Sequence, residues 1–278
     1  LPGVPRLLVT GASGFLGGAV VAAAAGAGWE VTGTALTHPA WVALDVRDAA
    51  AVDRVVDAVA PDAIIHTAYR QHGDQAMAVN AIGAGHVAAA ARSRSRPPAR
   101  LVHVSSDAIF AGDGDRALRE GDVVRPVTVY GATKAAGEVA VQAANPDALM
   151  VRTSLLLGGP GHAPSPHEEL ALAVARGEQQ MAFFTDEVRS PIQVDDLASA
   201  LLELAEQEGG GPLHVGGADG VSRLELAQLV VGAAGLEPAV LRGEPAPADR
   251  PRHCPMDSSV AQARLRTRLR GVREIYAG

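Results

Sequence analysis

The stretch Thr10-Gly11-Ala12-Ser13-Gly14-Phe15-Leu16-Gly17 constrains the fold more than any other part of this chain. It joins an aliphatic run, Arg6–Thr10 (RLLVT), to an alanine-rich segment, Phe15–Ala27. The first reads as a buried strand and the second as a helix. Gly11 permits the tight turn between them, Gly14 lets the backbone approach a pyrophosphate, and Gly17 lets the helix pack close to a sheet. Backbone N–H groups and the helix dipole then face phosphate oxygens. The spacing, Gly-x-x-Gly-x-x-Gly, differs by one residue from the usual dinucleotide fingerprint, and glycines also end strands for structural reasons. Its place between a first strand and a first helix favours a dinucleotide site built from Gly11, Ser13, Gly14, Phe15, Leu16 and Gly17.

The same alternation continues. Glu30–Thr34 and Trp41–Val46 read as strands, Ala49–Val59 as a helix, Asp62–Thr67 as a strand and Gln75–Ala91 as a helix. Arg100–Ser105, a helix over Val127–Ala144 and a strand over Ala148–Thr153 follow. Strands alternating with helices predict an α/β fold of the Rossmann type, a doubly wound parallel sheet with ligands beyond the carboxyl ends of its strands. Aromatics are only 3% of the chain, so alanine, valine and leucine build the core and helices can approach the sheet closely. The second half is less regular. Gly158–Pro166 reads as a Gly/Pro-rich loop, His167–Arg176 and Val194–Gln207 as helices, the latter capped by Asp195 and Asp196. Pro212–Gly216 reads as a late strand. Ser222 and Glu225 have capping-box spacing ahead of a helix to Ala233. The expected division is a dinucleotide-binding domain over 1–154 plus 191–216 and a smaller C-terminal substrate-binding lobe over 155–190 plus 217–278.

A formal charge of −7 offers no basic stripe for nucleic acid. No apolar run is long enough to span a bilayer, and no signal peptide is read, so a cytoplasmic protein is expected. A single cysteine, Cys254, forms no intramolecular disulfide and reads as an inert small side chain. The histidines show no zinc-ligand spacing, and no metal is expected.

Two further clusters carry chemistry. Tyr130 and Lys134 stand at i and i+4 on a predicted helix and can meet one ligand. A neighbouring ammonium stabilises a phenolate, so Tyr130 can exchange a proton with a carbonyl or alcohol oxygen. A solvated Tyr/Lys pair on a helix surface is the plain structural alternative. At the end of the fifth strand stand Ser105, Ser106 and Asp107, where a hydroxyl could orient a reacting oxygen. A turn-capping role is the alternative there.

Taken together, these clusters resemble the extended short-chain dehydrogenase/reductase family, and within it the dTDP-4-dehydrorhamnose reductases and related nucleotide-sugar 4-ketoreductases. The likeness runs over nearly the whole chain through VSSDAIFAG (104–112), RPVTVYGATKAAGE (125–138), VRTSLLLG (151–158), DEVRSPIQVDDLA (186–198) and RPRHCPMDSS (250–259). The resemblance implies that Ser106, four residues before Phe110, is the catalytic hydroxyl. It makes Tyr130 the general acid, and Lys134 the group that binds the nicotinamide ribose and tunes Tyr130. Asp107 would face the substrate. Asn80, in MAVNAIGAG, resembles an asparagine that supports the active-site helix and a water relay, and a purely structural role is an equal alternative. Asp45 and Val46 would contact the adenine. Thr67, Ala68 and Tyr69 would flank the ribose and nicotinamide, and Thr153 and Ser154 would lie near the carboxamide.

The chain also departs from the pattern. Its second strand ends in Thr34-Ala35-Leu36-Thr37-His38, without the acidic residue that would repel a 2′-phosphate, which favours NADPH over NADH. Leu155 stands where these reductases usually carry tryptophan and Arg189 where they usually carry glycine, so both are candidate substrate contacts and the sugar is left open. The expectation is an NAD(P)H-dependent reductase of a nucleotide-linked 4-keto-6-deoxysugar, with a homodimer as a possible assembly. The alternatives are an epimerase or dehydratase of the same fold, and a non-catalytic NADP-binding regulatory subunit. A dehydratase would want a glutamate where this chain has Ala108.

Overall fold

The structure, a computed structural model, describes residues 3–93 and 97–277. It divides into two compact units. The first comprises Leu1–Ser106, Val129–Arg152 and Ala198–Leu213, and the second Asp107–Thr128, Thr153–Leu197 and His214–Gly278. The segment 107–128, which the sequence reading carries with the first domain, clusters with the second unit.

The first unit is built on a seven-stranded sheet. Its strands are β1 (Arg6–Thr10), β2 (Glu30–Ala35), β3 (Val42–Ala43), β4 (Ala63–His66), β5 (Arg100–Ser106), β6 (Leu149–Thr153) and β7 (Gly211–His214). They lie in the order β7-β6-β5-β4-β1-β2-β3, which reverses direction beside β1. The pairings from β3 through β5 are parallel. That order is the doubly wound arrangement, and its switch point is where nucleotides bind. Leu8, Ile64 and Leu101 on adjacent strands are fully buried and pack with Val52 and Val56 of α2 (Ala49–Val59) and Val87 of α3 (Ala84–Ser93). The helix α1 (Phe15–Gly26) follows β1 directly.

Two sequence expectations are modified here. The strand expected over Trp41–Val46 shrinks to Val42–Ala43. Leu44 N–H still bonds Ala35 O (2.9 Å), but Asp45 then folds back on Arg47 and ends the pairing. The helix expected over Gln75–Ala91 is a π-helical turn, Ala78–Gly83, running into α3.

In the second unit, Val188–Arg189 is flanked by Val221–Ser222 (antiparallel) and His253–Cys254 (parallel). Ala182–Phe184 pairs with Arg242–Glu244. A core of Leu157, Phe183, Leu226, Val231 and Val272 holds it together. Beyond α4 (Val129–Ala144) in the first unit, α5 (Pro166–Ala175) opens with a full capping box, Ser165 with Glu168. The Glu168 carboxylate also accepts from Gly158 N–H (2.7 Å), Gly159 N–H (2.9 Å) and the Tyr276 hydroxyl (2.5 Å), which pins the Gly/Pro loop. Asp195 and Asp196 sit in the first turn of α6 (Val194–Ala205). Instead of capping that helix, Asp196 holds Arg270 (2.7 Å). Ser222 caps α7 (Arg223–Ala233) through Glu225 N–H (3.0 Å), while the Glu225 carboxylate turns to Arg273 (2.8 Å), so only half of the expected box forms. No helix among the described residues is long and apolar enough to cross a membrane.

Candidate active site

The glycine turn is shaped by close backbone approach. Gly11 has φ +76°, a left-handed conformation that disfavours any side chain, and a Cβ there would stand 2.8 Å from the Ala68 backbone. A Cβ on Gly17 would strike the Gly11 carbonyl and lie 2.9 Å from Thr67 Oγ1. The turn after β1 is thereby pressed between α1 and the segment after β4. Gly14, exposed, is the N-cap of α1. It offers no capping side chain, and no acidic residue lies in the first turn. The positive end of this helix is therefore left for an external anion. Ser13 is exposed, Phe15 half-buried, and Leu16 and Gly17 are buried. The register places Thr10 opposite His66 across β1 and β4, with Thr10 Oγ1 and His66 Nδ1 2.6 Å apart. Thr67 donates its hydroxyl to Thr10 O (2.7 Å). Asp45 is held by a two-pronged Arg47, which keeps its carboxyl below the usual range. Val46 is buried against the glycine-thinned π turn at Gly83.

Tyr130 lies in the first turn of α4, half-buried, and its ring meets Tyr69 edge-on at 6.2 Å. Lys134, one turn on, is 3% exposed, and its Nζ donates to Val104 O (2.6 Å) on β5. Burial drives the Lys134 ammonium down to about 8, against a smaller opposing pull from Glu138. Ser106 ends β5 and is half-buried, whereas Ser105 is buried. Successive strand residues face opposite sides, so the two hydroxyls serve different surroundings.

Asn80 projects from the π turn into a buried hub. Its Oδ1 accepts from Arg70 N–H (2.7 Å), and its Nδ2 donates to Arg70 O (2.7 Å) and Thr133 Oγ1 (2.8 Å). The Thr133 hydroxyl in turn lies 2.8 Å from Tyr130 O. One amide thus ties the segment after β4 to the helix that carries Tyr130.

The remaining expected site residues belong to the second unit. Asp107 is 3% exposed. Its Oδ1 pairs with Arg189 (2.8 Å), and its Oδ2 accepts from the Ser154 hydroxyl (2.6 Å). Thr153 donates to Val215 O (2.8 Å), and Leu155 packs against that unit's core.

The chain matches the family described as RmlD substrate binding domain over residues 5–276. It belongs to this family. Among curated relatives it is 37% identical to a dTDP-4-dehydrorhamnose reductase of Mycolicibacterium smegmatis, over 97% of this chain and 83% of that protein. It is 34% identical to a dTDP-4-keto-6-deoxy-D-glucose reductase of Streptomyces niveus, over 88% of this chain and 83% of that one. Among solved structures, a dTDP-4-dehydrorhamnose reductase of Bacillus anthracis in complex with NADP superposes with a TM-score of 0.86 at 25% identity, covering 99% of this chain and 97% of that one.

The fold also brings together groups that the sequence did not mark as site residues. His66 and His103 are register partners on β4 and β5, fully enclosed, with rings stacked 5.2 Å apart near Lys134. Burial, aided by the Lys134 charge, drives His66 down to about 3 and His103 well below the usual range. Both imidazoles are neutral. The available signal was a histidine inside an otherwise apolar strand, once in DAIIHT and once in RLVHVS. Thr133 lay unread inside the Tyr-x-x-x-Lys spacing. Glu187, buried between Arg189 and Arg250, had no sequence signal, because Arg250 lies 63 residues away.

Proposed function

We propose that the chain reduces a nucleotide-linked 4-keto-6-deoxysugar with NADPH, adding hydride to C4 while Tyr130 protonates the oxygen. Its family and its reductase relatives support an NAD(P)-dependent oxidoreductase acting on nucleotide-sugar ketones. The observation that carries the finer reading is Lys134, a buried ammonium held down to about 8, one helical turn from Tyr130.

The residues present fit the coenzyme. The uncapped start of α1 and the close-packed Gly11 and Gly17 suit a pyrophosphate. Bound NADPH supplies the hydride. An ammonium has three N–H donors, and Lys134 directs one at Val104 O. The others serve the nicotinamide ribose, and the charge favours the phenolate that Tyr130 becomes on giving up its proton. Ser106, at the end of β5, holds the carbonyl oxygen in position as it takes that proton. The carbonyl carbon gains the hydride and the oxygen the proton, which balances the reaction to an alcohol. Thr67, Ala68 and Tyr69 border the ring, Asp45 and Val46 the adenine, and Thr153 and Ser154 the carboxamide. Asp107, Arg189 and Leu155 belong to the sugar's surroundings. A dehydratase reading is disfavoured by Ala108 and by Asp107, both of whose carboxylate oxygens already hold partners.

Tyr130→Phe tests the assignment. NADPH oxidation with dTDP-linked 4-keto sugars should fall at least a thousandfold while coenzyme affinity stays within twofold of the parent, read by fluorescence titration. Retention of most turnover by the phenylalanine variant defeats it.

A further inference from the structure

Strand alternation sets His66, His103 and Ser105 on the face of the sheet that carries Ile64 and Leu101, toward α3 and α4. Leucine or isoleucine would continue that pattern without burying a polar atom. Two stacked imidazoles stand there instead, fully enclosed, with Ser105 two residues beyond His103 and also buried. His66 Nδ1 has the Thr10 hydroxyl at 2.6 Å. His66 Nε2, both ring nitrogens of His103 and the Ser105 hydroxyl have no hydrogen-bond partner among the described residues. Buried polar atoms in this state are destabilising, so a cluster of them calls for a compensating interaction.

The cation that acts electrostatically on both imidazoles is Lys134. Its Nζ is fixed beside β5 by the bond to the carbonyl of Val104, the residue between His103 and Ser105. Tyr130 and Glu138 lie on its own helix, and Glu138 is forked to Arg152 of β6. Burial is the largest influence on the Lys134 ammonium and works to strip its proton, while Glu138 opposes that loss. A neutral imidazole carries one N–H and one lone pair. A lone pair turned toward an ammonium stabilises the charged form, which an apolar side chain at the same place cannot do. For His66 this assigns the tautomer, with the N–H at Nδ1 donated to Thr10 Oγ1 and the lone pair at Nε2.

We infer that His66 and His103 are positioning residues for Lys134: their lone pairs line the sheet side of the ammonium and keep it charged where burial alone would discharge it. That this serves hydride transfer rests on the reductase reading; the control of the Lys134 charge does not.

Lys134 is the only lysine of the chain, so lysine isotope-labelled at Nζ gives a single NMR signal whose pH titration reads this amine directly. In the parent, the assigned ring nitrogens of His66 and His103 should shift with the Lys134 midpoint. His103→Leu should lower that midpoint by about one pH unit, and His103→Gln, which keeps a neutral acceptor, by less than half as much. The alkaline limb of kcat/KM should move with it. A merely structural role for the imidazole would lower the melting temperature and leave the midpoint in place. If the leucine variant does not fold, His66→Leu and the response of the parent's ring nitrogens are read instead. A parent-like midpoint in the leucine variant that is read, or ring nitrogens indifferent to the Lys134 titration, overturns the inference. Keto-sugar reduction with an unmoved midpoint refutes the role of the histidines alone. A lowered midpoint in a protein whose parent reduces no keto sugar refutes the reductase reading alone.

Discussion

Glu138 and Arg152 fasten α4 to β6 inside the first unit. The carboxylate and the guanidinium meet as a fork, Nε to Oε1 at 2.9 Å and Nη2 to Oε2 at 2.8 Å, with side chains 9% and 6% exposed. Replacing Glu138 with Gln keeps the shape and removes the charge, leaving a buried cation without its counter-ion. Breaking one side of such a pair costs about 3–5 kcal/mol. In a chain of this size each kcal/mol moves the melting temperature by about 2–4 °C, so the expected loss is about 6–20 °C. Differential scanning calorimetry and urea unfolding measure it. Glu138→Leu combined with Arg152→Met removes both charges and should recover most of the loss, because a buried pair adds little over a well-packed apolar pair. Glu138 also raises the proton affinity of Lys134, so in the Gln variant the alkaline limb of kcat/KM should move to lower pH. A Gln variant within about 1 kcal/mol of the parent, or a double variant no more stable than the single, refutes the reasoning.

Two other consequences are open to measurement. Gly17→Ala places a Cβ against the Gly11 carbonyl and Thr67 Oγ1, and the expected result is a loss of about 1–3 kcal/mol with NADPH affinity reduced at least tenfold; parent-like affinity argues that the turn does not hold the coenzyme. His66 is neutral when folded and titrates at about 3, against the ordinary 6.5 when unfolded, so its contribution is whole above about pH 6.5 and is lost as pH falls toward 3, at about 1.4 kcal/mol per pH unit. His66→Gln should flatten the fall of unfolding free energy between pH 6.5 and 5 by that amount, and an unchanged slope counts against a neutral buried imidazole.

Much of the first unit was legible in the sequence because its signals are local. The run RLLVT, the glycines after it and the apolar face of Val52 and Val56 each declare their element within a few residues. The π turn at Ala78–Gly83 was not legible, since an apolar helical repeat says nothing about an i→i+5 bond pattern. Glu225 has the spacing of a capping partner for Ser222 but pairs with Arg273, 48 residues on, and a distant cation outweighed a local amide. The full capping box, Ser165 with Glu168, lay hidden in a segment read as a loop running into a helix. Within the candidate site, Tyr130 and Lys134 were found through their spacing. The Asp107–Arg189 pair, the stacked histidines and the Arg223–His167 contact join distant segments and emerge only when the chain is folded.

The hub at Asn80 fixes more than a helix position. Its amide has one workable orientation, because exchanging its oxygen and nitrogen would set like against like at both the N–H and the C=O of Arg70. The strip of chain beside Tyr69 and the opening turn of α4 are consequently geared together. A ligand that nudges the first must either drag the second or strip a buried amide of its partners, so adjustments around the phenol are transmitted as a linked displacement and not as independent loop motion.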